Sequence, residues 1–88
     1  MAFITFIAHY PEAGALIPGS GGVRKVRWAR RGVGKRGGVR VIYYFHDVAM
    51  PVFLLTVYAK SRRTDLSESE LRIMRRLVAQ LKAQYAKE

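Results

Sequence analysis

The chain has 88 residues, 16 of them lysine or arginine and 6 aspartate or glutamate, for a net charge of +10. That length suits one small domain with a single modest core. The absence of cysteine excludes a disulfide framework and thiolate metal sites, and no apolar run reaches the length of a membrane span.

Met1 to His9 is ambiguous: MAFITFIAH reads as a short strand or as the tail of a helix. It carries no basic segment before its apolar run, so a secretory signal is not expected. Tyr10-Pro11 ends the element, because the residue before proline disfavours helix. Pro11 to Gly22 contains two prolines and four glycines and reads as an irregular loop.

Gly21 to Phe45 holds eight basic residues: Arg24, Lys25, Arg27, Arg30, Arg31, Lys35, Arg36 and Arg40. No acidic residue occurs from Ala13 to His46. Two alternating runs flank a Gly-rich basic loop, the pattern of a β-hairpin suited to a polyanion. Val23 to Ala29 is predicted as a strand, with Lys25 and Arg27 on one face and Arg24, Val26 and Trp28 on the other. Arg30 to Gly38 is the loop. Val39 to Phe45 is the second strand, with Arg40, Ile42 and Tyr44 on one face and Val41, Tyr43 and Phe45 on the other.

His46 to Pro51 is a turn. Val52 to Ala59 is a third strand whose alternation groups Phe53, Leu55, Val57 and Ala59 against Leu54, Thr56 and Tyr58. Lys60 continues the second group. After a polar connection from Lys60 to Leu66, Ser67 to Glu70 fits a capping box and opens a helix. Its apolar stripe is Leu71, Met74, Leu77, Val78, Leu81 and Tyr85. The stripe is expected to pack on the sheet face of Trp28, Tyr43, Phe45, Phe53 and Leu55.

Gly32 to Gly37 matches G-x-G-x-x-G but has strands on both sides, so a dinucleotide fingerprint is rejected. Lys35 is followed by Arg36, which excludes a Walker loop. His9 and His46 read as surface or loop histidines. His46 shares the parity of Arg40 and Tyr44, which makes it a secondary acid–base candidate. The carboxylates show no metal-binding grouping, so no metal is expected. Strand parity instead collects Lys25, Arg27, Arg40, Tyr44, Tyr58 and Lys60 on one face, close enough to meet over a bound phosphate. Arg24, Arg30, Arg31, Lys35 and Arg36 read as further RNA contacts.

The runs PEAGALIPGSGGVRKVRWA, GKRGGVRVIYYF and FLLTVYAK, followed by DLSESEL, resemble the RelE/HigB-type toxins of type II toxin–antitoxin systems, and within them the phage-derived HigB-like group. The resemblance covers roughly residues 4–85. It implies a single α+β domain over residues 1–88. Its small antiparallel sheet has at least three strands, with a C-terminal helix on one face, as in microbial ribonucleases. It implies a cytoplasmic, cofactor-free, metal-independent endoribonuclease that cuts mRNA on the ribosome and inhibits translation. The alternative is a non-catalytic RNA- or ribosome-binding protein. The implied partners are the ribosome-bound message and a HigA-like helix-turn-helix antitoxin, with operator DNA reached only through the toxin–antitoxin complex and no membrane.

The family's catalytic arginine falls on Arg40, its basic positions in the preceding strand on Lys25 and Arg27, and the one after the third strand on Lys60. A tyrosine that some relatives carry after that strand has no counterpart in SRRTDLS, which leaves Tyr44 or Tyr58 as substitutes. The family pattern also places a strand and one or two helices before the PEAG-like segment. Here only Met1 to Tyr10 precedes it, so the chain is expected to be short at this end. FIAHYPEAG then reads as the end of a helix and its loop, with MAFITFIA as a substitute strand in the other reading. No residue stands out as a strong acid or base. Lys25 or Lys60 serves as base only if its neighbours' charge lowers its pKa.

Overall fold

The computed structural model describes residues 2–29, 38–59 and 65–86. The order is α1 (Phe3–His9), β1 (Ala15–Leu16), β2 (Val23–Trp28), β3 (Val39–Tyr44), β4 (Phe53–Ala59) and α2 (Glu68–Ala86). The strands form one antiparallel sheet in the order β1-β2-β3-β4. This is the expected α+β architecture, with one strand more than alternation alone revealed.

The ambiguous N-terminus is a helix, which overturns the strand reading of MAFITFIA. Phe3, Phe6, Ile7 and Tyr10 recur at helical spacing. Phe3 meets Trp28 edge-on and Phe6 packs on it at a tilt, with ring centroids 5.2 and 5.1 Å away, and Ile7 is buried. The helix therefore closes the sheet face that carries Trp28, Val41 and Tyr43. Tyr10 ends it before Pro11, as expected.

The segment read as irregular contains β1, whose Ala15 and Leu16 pair with Lys25 and Arg24. A tight turn then returns the chain to β2. Gly21 and Gly22 take φ of 83° and 112°, values that favour glycine. Inside the turn the fully buried Ser20 hydroxyl donates to the Ile17 carbonyl at 2.6 Å and accepts from the Val23 amide at 2.9 Å.

Residue alternation along β2 and β3 is as read. In β4 a bulge interrupts it. Arg40 pairs with Tyr58 and Ile42 with Thr56, but Tyr43 pairs with Leu54 and Tyr44 with Phe53. Leu55 is the extra residue, so Phe53 and Leu54 exchange the faces that strict alternation assigns them.

Helix α2 begins as the capping box predicts. The Glu70 amide donates to Ser67 Oγ at 3.2 Å, and the Ser67 amide donates to Glu70 Oε1 at 2.8 Å. Its stripe does not pack on Trp28 and Tyr43. Met74 and Val78 join Val23, Ile42, Tyr44 and Tyr58 in the main core, with Phe53, Leu55, Leu71, Leu81 and Tyr85 around them. The reason is competition: α1 already covers Trp28, so the long helix takes the opposite face. That face is apolar only over its Val23–Tyr44 end.

Candidate nucleic-acid interface

The other end of the α2 face is polar. In the β2–β3 register Arg27 lies opposite Arg40, and in the β3–β4 register Arg40 lies opposite Tyr58. Three side chains thus form a row across three strands, each step about 5 Å. Lys25 stands two residues from Arg27 on the same face. Its Nζ is 3.5 Å from Asp65 Oδ1, just ahead of α2. Asp65 Oδ1 also accepts from the Leu66 amide at 3.0 Å. Leu66 is buried in the core beside Tyr58, so the carboxylate is anchored from beneath.

Arg40 is half-buried, and its Nη1 is buried with no acceptor among the described residues, as is Arg24 Nε on the other face. A guanidinium nitrogen withdrawn from water without an acceptor is unfavourable. An incoming phosphate oxygen relieves that state, because a guanidinium stays charged and forks onto two oxygens.

The family described as the RelE toxin of the RelE/RelB toxin–antitoxin system matches residues 16–88. The chain belongs to the RelE toxin family. The match includes β2, β3, β4 and α2, and with them the whole basic row. The four-stranded antiparallel sheet with a C-terminal helix agrees with a RelE-like fold. As a RelE-family toxin the protein has a cognate antitoxin for a partner.

Within this toxin the fold brings Lys25, Arg27, Arg40 and Tyr58 together. Tyr44 shares their parity but not their place. It is buried in the main core opposite Phe53, at the far end of β3 from Arg40, so it leaves the candidate set; Tyr58, buried in the same core, stays in it by its register opposite Arg40. Arg24 lies on the other face, where its Nη1 donates to the carbonyls of Gly14 at 2.8 Å and Glu12 at 3.3 Å. Its Nη2 is 3.7 Å from the Glu12 carboxylate. It fastens the segment after α1 and is not a free RNA contact. Lys60, Arg30, Arg31, Lys35 and Arg36 fall outside the described residues.

His46 stands six residues beyond Arg40, about 20 Å along the strand direction, beside Asp47 at 3.7 Å. It is remote from the basic row. Among the described residues no three His, Cys, Asp or Glu side chains form a metal site, and no helix is long and apolar enough to cross a membrane. Sequence reading missed Asp65, which is 40 positions from Lys25 and carries no local motif beyond its nearness to the capping box.

Proposed function

We propose that this RelE-family toxin is a ribosome-dependent endoribonuclease that cleaves mRNA and so inhibits translation in the cytoplasm. Its antitoxin is a HigA-like helix-turn-helix protein, and operator DNA is engaged only by the complex of the two. The observation that carries the reading is the unpartnered Arg40 Nη1, with Arg27 on one side and Tyr58 on the other. The chemistry needs no metal. The ribose 2′-oxygen attacks the adjacent phosphorus in line and the 5′-oxygen leaves. Arg40 neutralises the charge that grows on the phosphoryl oxygens. Arg27 and Lys25 hold the flanking phosphates. Tyr58 lines its floor. The ribosome supplies the bent substrate geometry that so shallow a face does not itself impose.

The test is translation of a defined message with purified toxin, mapping of RNA 3′ ends, and a control without ribosomes. Cuts in phase with codons are expected only with ribosomes. Arg40→Ala is expected to slow them about 10²–10³-fold, the range for removing a transition-state donor. Inhibited translation without cuts replaces this reading with a non-catalytic ribosome-binding protein. Undiminished cutting by Arg40→Ala removes the role assigned to Arg40.

A further inference from the structure

We propose that Asp65 is the proton acceptor for the 2′-hydroxyl at this site, held in place by Lys25. The inference rests on the ribonuclease reading above and supplies the base that reading lacks. The other described carboxylates are placed elsewhere. Glu12 pairs with Arg24 on the opposite face, and Asp47 pairs with His46 beyond the far end of β3. Glu70 is bonded to the Ser67 amide, and Glu68 lies in the first turn of α2. Asp65 pairs with a cation of the basic face, Lys25.

Its geometry suits a base. Oδ1 is held from two sides, by the Leu66 amide at 3.0 Å and the Lys25 ammonium at 3.5 Å. The side chain is 64% exposed, so a bound ribose can reach Oδ2. Its cationic partner, Lys25, stands two residues from Arg27 on the basic face of β2, and Arg27 lies opposite Arg40 of β3. A carboxylate accepts a proton at neutral pH without special tuning. A lysine base first has to lose its own proton in a cluster of cations.

The step balances. The 2′-hydroxyl proton passes to Asp65 Oδ2, and the 2′-oxygen–phosphorus bond forms as the bond to the 5′-oxygen breaks. Solvent water then protonates the leaving oxygen. The products are a 2′,3′-cyclic phosphate and a 5′-hydroxyl. The competing view is that the Lys25–Asp65 pair only ties α2 to β2. An exposed ion pair of that kind contributes little to stability, and its loss alone does not slow the chemical step while RNA affinity holds.

The test is Asp65→Asn, which still accepts from the Leu66 amide, with Asp47→Asn as a control. Single-turnover cleavage of ribosome-bound message is followed at neutral pH, and affinity for an RNA oligonucleotide is measured alongside. Asp65→Asn is expected to slow cleavage at least about 10²-fold. RNA affinity is expected to hold or tighten, because a negative charge leaves a basic face. Asp65→Glu is expected to restore part of the rate, and Asp47→Asn is expected to cut at the wild-type rate. A wild-type rate in Asp65→Asn overturns the assignment alone. Faster cutting overturns it too, and makes Asp65 a competitor of RNA for Lys25. Absence of cutting by the wild type overturns the ribonuclease reading together with this one.

Discussion

Arg24 and Arg40 belong to the same hairpin and carry the same charge, but they lie on opposite faces of it. On the α1 face, Arg24 meets two backbone carbonyls and a carboxylate within 3.7 Å. On the α2 face, Arg40 keeps a buried Nη1 with no acceptor among the described residues, while on the α1 face only Arg24 Nε is left so. A strongly basic sequence announces a polyanion partner, but it does not say which cations are available. Availability is decided by where the loop carbonyls converge. Here the segment after α1 folds back over one face and engages the Arg24 fork, while the described residues at the basic end of the other face offer Arg40 no comparable set of acceptors.

The sharpest way to break this comparison is to remove each arginine in turn. Arg40→Ala is expected to lose cutting by the two to three orders of magnitude given above while unfolding in urea at nearly the wild-type midpoint. Deleting a buried donor that has no partner takes little from stability. Arg24→Ala is expected to do the reverse. Cutting per folded molecule stays at the wild-type level, and the unfolding free energy falls by about 1.5–3 kcal/mol, the range for hydrogen bonds to a charged group. If Arg24→Ala instead weakens RNA binding with no loss of stability, the division between the faces is wrong.

Neighbouring tyrosines repeat the comparison without the charge. Tyr43 and Tyr44 are both buried, on opposite faces. The Tyr43 hydroxyl donates to the Pro11 carbonyl at 2.7 Å and accepts from the Gly14 amide at 2.9 Å. The Tyr44 hydroxyl is buried with no hydrogen-bond partner among the described residues. Tyr43→Phe is expected to lower the unfolding free energy by about 1–3 kcal/mol, because it strands a buried amide and a carbonyl. Tyr44→Phe is expected to be neutral or stabilising by up to about 1 kcal/mol, because it removes a desolvated hydroxyl that gains nothing in return. Equal losses in the two variants would show that the Tyr44 hydroxyl has found an acceptor.

Much of this was legible in the residues, and the failures have physical causes. Alternation placed Lys25, Arg27, Arg40 and Tyr58 on one face because side chains in a strand have a period of two, which survives any loop length. The same rule could not distinguish Tyr44 from Tyr58. Both share the parity and both are buried in the main core, and only the strand register, which sets Tyr58 opposite Arg40 and Tyr44 opposite Phe53, separates them. Choosing the face for α2 failed because both faces of the hairpin offer large apolar residues, and the claim of α1 on Trp28 is a tertiary fact. The bulge at Leu55 was invisible because nothing in FLLTVYA marks an extra residue. Asp65 was invisible for a different reason: its partner is 40 residues away, and proximity at that range is made by the fold.

The smallest expected effect separates the tyrosines by pH. Burial raises the pKa of Tyr43, an effect opposed by the Gly14 hydrogen bond and the nearby Arg24 charge and reinforced by Glu12. Burial also raises that of Tyr44, with Asp47 adding to it. In the unfolded chain both ionise near the ordinary value of 10.0. The folded protein therefore holds more protons than the unfolded chain above that pH. The resulting stability is fully present below about pH 10 and is lost as pH rises through the folded values. Urea midpoints are expected to be level from about pH 7 to 9 on this account and to fall beyond 10. Lysines titrate in the same window, so the informative quantity is the difference between variants. Tyr43→Phe is a poor probe, because its lost hydrogen bonds shift stability at every pH. Tyr44→Phe carries no such burden, and its midpoint is expected to fall less steeply than that of the wild type. Parallel slopes would mean that the Tyr44 phenol ionises as readily folded as unfolded. The α2 face would then admit water at its packed end, and its separation into a dry core and a wet basic row would fail.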